Sequence, residues 1–217
     1  RDVGLIDMRT RMEELGGLRQ FSSTVDNHYN MYGAYETYRA IMEALNADRG
    51  LDLDYLEPGE FRIEAVPNHY MGSRTRKIFD LWDSEESLYI LRPYDEVPFR
   101  LYYSWSGTGA ENEQADVYVI PEDTKEAVTY NLYMGGDRPF AEILTDREEL
   151  PNVLIYGDSF TNPVECIVWH DFNTMYSIDF RYFSEMSLDA FIAEYRPDVV
   201  ICIRDYEALL TLEGNGQ

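Results

Sequence analysis

Three histidines, His28, His69 and His170, are all that the 217-residue chain contains, so any serine–histidine catalytic unit must draw on one of them. His28 lies in Thr24-Val25-Asp26-Asn27-His28-Tyr29-Asn30. On extended backbone, alternate residues face one side. Asp26 would then orient the imidazole and stabilise its protonated form, while the other ring nitrogen faced a serine. Such a pair predicts a depressed carboxylate pKa and a raised imidazole pKa. The blander reading is a loop histidine beside a helix-capping acid. The matching nucleophile is Ser159, in Tyr156-Gly157-Asp158-Ser159-Phe160. It follows an apolar strand over residues 153–156, at the strand edge where reacting groups gather in open α/β sheets. Gly157 permits a tight turn there, and the Ser159 N–H can point at a developing oxyanion. The same residues also suit a strand-to-loop turn with a capping serine, and Gly-Asp-Ser alone specifies little. His170, beside Trp169 and Asp171, reads as a helix-end histidine, and His69 as a surface-loop histidine. No His-x-x-x-His pair exists, so neither a metal nor a cofactor is expected.

The elements that must position these residues follow from periodicity. Residues 3–6 read as a short strand, and 8–15 as a helix closed by Gly16-Gly17. Residues 21–30 are polar and loop-like. Ala34, Tyr38, Ile41, Met42 and Leu45 then share one helical face, with Asn30 as N-cap. From 60 to 144 the chain alternates in short segments: 61–65, 87–91, 99–105, 117–120, 129–133 and 140–144 read as strands, with 106–114 as an exposed turn. The last third returns to strand–helix–strand order. Strands over 153–156, 175–180 and 199–203, with a Ser187-capped helix through Tyr195, argue for parallel pairing.

Composition limits the partners. Acidic residues outnumber basic ones 41 to 18, giving a net charge of -23. A polyanion is repelled by nucleic-acid phosphates and anionic membrane surfaces, which sets nucleic-acid binding aside. No apolar run approaches the ~20 residues of a membrane helix, so this segment is not expected to insert into a membrane. Cys166 and Cys202 are too few for a disulfide framework and read as two reduced core thiols. The 18 tyrosines suit half-buried strands. Among them Tyr102 and Tyr103, with Trp105, are candidate stacking surfaces for a sugar.

Four blocks together resemble the DHHW family: the stretch from Ser23 through Asp26-Asn27-His28-Tyr29 to Gly33-Ala34-Tyr35; Tyr133-Met134-Gly135-Gly136-Asp137-Arg138-Pro139; Leu154-Ile155-Tyr156-Gly157-Asp158-Ser159-Phe160; and Ser177-Ile178-Asp179-Phe180-Arg181-Tyr182-Phe183. The DHHW proteins are similar to the SGNH hydrolase superfamily and its alginate O-acetyltransferase-like branch, in which the Asp and His precede the serine as here. The resemblance implies an α/β fold: an SGNH-hydrolase-like parallel sheet flanked by helices in a single domain over 1–217. Its α/β parts would occupy about 1–57 and 150–217, with a β-rich antiparallel insertion over about 58–149. It implies Ser159 as nucleophile, His28 as base and Asp26 as orienting acid. Gly135, Gly136 and, more weakly, Arg181 are implied near the oxyanion. Asn27 and Tyr29 depart from the Asp-His-His-Trp pattern, and Asp137 stands where an Asn is expected. The N-terminal segment of the family pattern is missing before Asp7.

The implied activity is a serine-dependent carbohydrate O-acetyl esterase or O-acetyltransferase at the cell surface. Its partners would be an acetylated glycan and a membrane-bound acyl-donor protein. The alternative is a non-catalytic carbohydrate-binding or assembly module on the same fold.

Overall fold

A computed structural model describes residues 3–82, 84–209, 211 and 214–216. The chain groups into two compact units, Arg1–Asp95 with Ile120–Tyr130, and Glu96–Val119 with Asn131–Gln217.

In the first unit, helix α1 (Met8–Glu14) is capped by Asp7, whose carboxylate accepts from the Arg9 and Thr10 N–H groups. Helix α2 (Met31–Arg49) starts where its periodicity predicts, with the Asn30 side chain accepting from the Gly33 N–H. Ala34, Tyr38, Ile41 and Met42 are buried on its inner face. Arg11 of α1 reaches Glu43 and Glu36 of α2, and Arg39 joins the same carboxylates. Strand β1 (Phe61–Ala65) pairs antiparallel with β2 (Tyr89–Pro93), and the short helix α3 (Ser73–Lys77) lies between them in sequence. Residues 3–6, expected as a strand, are irregular backbone with Val3 and Leu5 exposed. Their apolar residues have no strand to pair with among the described residues.

The second unit is built on a six-stranded sheet of strands β3 (Arg100–Ser104), β4 (Asn112–Gln114), β5 (Phe140–Leu144), β6 (Asn152–Gly157), β7 (Thr174–Ile178) and β8 (Val199–Ile203), in the order β4-β3-β5-β7-β6-β8. β6 pairs parallel with β7 and β8. β5, β3 and β4 extend the sheet antiparallel from β7. Three strands of the β-rich middle region therefore continue the sheet that carries Ser159. The expected exposed turn over residues 106–114 is the β3–β4 connection, and its last three residues form β4. Residues 117–120 and 129–133 contribute only a bridge between Tyr118 and Tyr133 and a 3-10 turn at Tyr130–Leu132.

Strand pleating sorts the side chains. Phe140, Leu154 and Ile178 face helix α5 (Leu188–Tyr195) and pack with Phe183 and Phe191. The opposite face carries Val153, Ile155, Met175 and Ser177. Helix α4 (Asn162–Val168) follows the Ser159 turn with Pro163 in its first turn, and all seven of its residues are buried. Ser187 caps α5 as the sequence suggests, accepting from the Ala190 N–H. Cys166 is a buried free thiol whose Sγ reaches the Val117 carbonyl oxygen at 3.4 Å, but Cys202 is exposed on β8 and is not a core thiol.

Gly157 ends β6 against β8. A Cβ there would collide with the Ile203 carbonyl oxygen, which is backbone and cannot swing away, and with the Thr161 methyl group. Gly157→Ala is expected to lower the unfolding free energy by about 1–3 kcal/mol, the ordinary cost of overpacking. Chemical denaturation measures it. An unchanged transition midpoint would show that the β6–β8 contact yields freely.

Candidate functional site

In the first unit, Asp26 and His28 come together by a route different from the expected one. Residues 24–28 are not extended; they form a bent loop closed by a bridge between Ser22 and Tyr29 and by the Ser23 N–H on the His28 carbonyl. Asp26 Oδ1 accepts from the backbone N–H groups of Asn27 at 2.7 Å and His28 at 3.3 Å, the mark of an Asx turn. That turn swings the imidazole back onto the same oxygen, with His28 Nδ1 2.6 Å from Asp26 Oδ1. Asp26 Oδ2 accepts from the Ser73 N–H at 2.6 Å.

Asp26 is 1% exposed and His28 8%. Burial alone would raise the Asp26 pKa, but the His28 ring, the Ser73 N–H and the His28 N–H outweigh it and hold the carboxyl well below its usual range. A carboxylate on Nδ1 fixes the proton there, which puts the lone pair of neutral His28 on Nε2. The ring lies flat on Tyr130, with centroids 3.7 Å apart and an interplanar angle of 10°.

Sequence reading missed Ser73 and Tyr130. Ser73 contributes a backbone N–H, which has no residue signature. Its nearest clue is Gly72, where a Cβ would strike the Val25 carbonyl, so only glycine lets this segment lie against the Asp26 loop. Ser73 Oγ also donates to Asn27 Oδ1 at 2.6 Å, giving the residue at the first His position of the family pattern a bracing role.

In the second unit, Ser159 stands in the turn directly after β6. Asp158 braces this turn. Its Oδ1 accepts from the Phe160 N–H at 3.0 Å, and its Oδ2 from the Asp205 N–H at 3.1 Å, tying the loops after β6 and β8 together. The Gly-Gly turn is left-handed at three successive residues, Met134, Gly135 and Gly136. The Gly136 N–H is committed to the Tyr133 carbonyl at 2.9 Å.

Arg181 is held in a compact network. Its Nε and Nη2 bind Asp179 at 2.9 and 2.5 Å, and its Nη2 reaches Asp137 Oδ2 at 2.8 Å. Asn162 Nδ2 donates to the other oxygen of Asp137 at 3.0 Å. Burial opposes the charge on Arg181, but the two carboxylates outweigh it and keep the guanidinium firmly protonated. Asp137, standing where the family pattern has Asn, therefore acts as a counterion. Asn162, at the start of the helix that follows Ser159, is the member of this network that sequence reading missed.

The three proposed sugar contacts do not form one surface. Tyr102 pairs with Glu142 and Tyr103 with Ala141, on opposite faces of the sheet. Tyr103 meets Trp105 edge-on at 5.9 Å, and the Arg138 guanidinium covers the Tyr103 ring at 3.4 Å. Trp105, 59% exposed, is the open ring of the group. His69 is exposed and pairs with Asp80, and His170 lies in a 3-10 turn beside Asp171. Among the described residues, no cluster of His, Cys, Asp and Glu is arranged to hold a metal, and no helix is long and apolar enough to cross a membrane.

No family model and no curated protein matches the sequence. Solved structures do match. A DHHW family protein from Eubacterium siraeum is similar with a TM-score of 0.70 and 18% identity over 89% of this chain. PatB1 of Bacillus cereus is similar with a TM-score of 0.77 and 17% identity over 94%. A second PatB1 structure, carrying a sulfonyl adduct, gives 0.69 and 17% over 88%. The chain spans 62% of the Eubacterium protein and 69% and 64% of the two PatB1 chains. These likenesses establish the fold, a mixed α/β arrangement shared with a DHHW family protein and with PatB1.

Asp26→Asn is expected to cost about 2 kcal/mol of stability at neutral pH, the worth of charge-assisted hydrogen bonds to a buried group. The folded pKa lies below the unfolded value, so this contribution is present above the ordinary aspartate range, about 3.9, and is lost as pH falls through and below it. Unfolding of the variant and the parent, compared at neutral pH and in acid, should show the gap closing in acid. A gap independent of pH would mean that the Asp26 charge does not matter to folding.

Proposed function

We propose that the chain is a serine-dependent carbohydrate O-acetyl esterase or O-acetyltransferase, with Ser159 as nucleophile, His28 as general base and Asp26 as the residue that orients and charges the base. The observation that carries this reading is the buried 2.6 Å contact between His28 Nδ1 and Asp26. It turns a histidine into a base with one defined accepting nitrogen. The position of Ser159 after the central parallel strand β6 supports it. So does the sulfonyl adduct reported for PatB1, because such adducts form on activated nucleophiles.

In the first half-reaction Ser159 Oγ attacks the acetyl carbonyl carbon and its proton passes to His28 Nε2. The tetrahedral oxyanion is met by neutral N–H donors, with those of Ser159 and Gly135 as candidates. Collapse breaks the ester C–O bond, and the leaving alkoxide takes the proton back from His28. The product is acetyl-Ser159. In the second half-reaction a water or a sugar hydroxyl gives its proton to His28 and attacks the acetyl carbon, releasing acetate or an acetylated sugar and restoring Ser159. The donor is an acetylated glycan or a membrane-bound acyl-donor protein, and the setting is the cell surface. The exposed Trp105 ring favours a sugar ligand, since an open aromatic face offers stacking area.

Labelling with a fluorophosphonate probe, read by intact mass and peptide mapping, tests the reading. Stoichiometric modification at Ser159 is expected, with a loss of about 10²-fold or more in rate for His28→Ala, the usual worth of a general base. A folded protein that is never labelled, yet binds glycans equally well as Ser159→Ala, would assign the fold to carbohydrate binding without turnover. With an activated serine established, release of acetate against transfer to an added oligosaccharide separates esterase from transferase.

A further inference from the structure

Ser23 closes the loop around Asp26 and His28 at two points. Its backbone N–H donates to the His28 carbonyl at 3.1 Å, and its Oγ accepts the Asp26 N–H at 3.0 Å. The hydroxyl thus gives a lone pair to Asp26, and its single proton has to find an acceptor elsewhere. That acceptor is Glu86, with Ser23 Oγ 2.5 Å from Glu86 Oε1. The other carboxylate oxygen accepts from the Thr24 N–H at 2.9 Å and from the Thr24 hydroxyl. Glu86 therefore takes three donors from two consecutive residues just ahead of Asp26. All three are neutral groups of one loop, and the carboxylate charge strengthens each of these bonds.

Glu86 lies 63 residues beyond Ser23 and outside every block that resembles the family pattern. Its backbone is anchored. The Glu86 N–H donates to Ser84 Oγ at 3.1 Å, and two residues later the carbonyl of buried Leu88 accepts from the Val66 N–H at 2.8 Å as the chain enters β2. A fixed segment thus reaches across to the loop that bends Asp26 onto His28. A carboxylate can only accept, so it settles the direction of the Ser23 hydroxyl: proton toward Glu86, lone pair toward the Asp26 N–H. We propose that Glu86 is a positioning residue for His28, acting through the Ser23 hydroxyl and the Asp26 backbone to keep the acid on the imidazole Nδ1. The inference takes His28 as the base from the reading above; the link from Glu86 to the ring stands apart from it.

The test compares wild type with Glu86→Gln, with Ser23→Ala and with the double variant. Glu86→Gln keeps the side-chain size but offers one carbonyl oxygen to three donors. Ser23→Ala removes the hydroxyl and leaves Glu86 on Thr24. The His28 ring nitrogens and the proton on Nδ1 are followed by NMR at a pH where the ring is neutral, and fluorophosphonate labelling is timed on the same samples. The wild-type ring should hold one tautomer with a resolved Nδ1 proton. In both single variants that proton signal should broaden, and the ring nitrogens should move toward the average of the two tautomers. Labelling should slow about tenfold, the kinetic equivalent of one hydrogen bond to a charged group. The double variant should label no more slowly than the slower single variant, because both changes cut one path. Ser23→Ala alone decides where Glu86→Gln does not fold. A His28 ring signal unchanged from wild type in either folded variant overturns the proposal, and so do losses that multiply in the double variant. A ring that responds to Glu86 in a protein that is never labelled upholds the link and refutes His28 as the base of a serine reaction.

Discussion

A carboxylate as deeply buried as Asp26 folds only where donors surround it, because an unpaired charge in a dry interior costs several kcal/mol. The loop over residues 21–30 and the segment at Gly72-Ser73 are shaped by that demand. Two backbone N–H groups of the bent loop, one from Ser73 and one ring N–H from His28 converge on the two oxygens. Gly72 is there because a side chain would hold the Ser73 N–H away. The Arg74 guanidinium binds the Ser23 and Thr24 carbonyls and its N–H binds the Val25 carbonyl, which fastens the same two segments on their other side. Histidine orientation in this unit is therefore a consequence of satisfying the acid. The tautomer follows without any further device.

The elements legible in the sequence were those with strong local signals. The α2 periodicity with its Asn30 cap, the Ser187 cap of α5 and the apolar runs of β6 and β8 all appear where their patterns place them. Pairing of Asp26 with His28 was legible from residue types, but its geometry was not. An Asx turn and a pleated strand both bring residues two apart to one side, and only backbone dihedrals tell them apart. The candidate sugar contacts Tyr102, Tyr103 and Trp105 divide between the two faces of the sheet for a related reason. Consecutive strand residues face opposite ways, so Tyr102 had to leave the group once β3 was a strand. Short apolar stretches at residues 3–6, 117–120 and 129–133 carried strand composition without a partner strand. Pairing depends on distant chain, which composition does not encode.

Electrostatics in the second unit are quieter than the charge of -23 suggests. If Asp137 were the neutral asparagine of the family pattern, Arg181 would face one carboxylate, that of Asp179, instead of two. With Asp137 in that place, the guanidinium faces two carboxylates and Asn162 locks the second oxygen of Asp137. The network is thereby turned inward and becomes structural. Under the proposed function, stabilisation of a developing oxyanion would fall to neutral, fixed N–H dipoles. Such dipoles work without a counter-charge and need no reorganisation as the negative charge forms.

That arrangement also sets the limits on Glu165, buried on α4. A third ionised carboxyl beside Asp137 and Asp179 would leave Arg181 outnumbered, while Arg138 binds Gln114 through Nη2 and lies over the Tyr103 ring. Burial of Glu165 works against that third charge, because a buried neutral acid costs far less than a buried anion. Burial at this position, four residues after Thr161 and three after Asn162, is what raises the Glu165 carboxyl above the range of a surface glutamate.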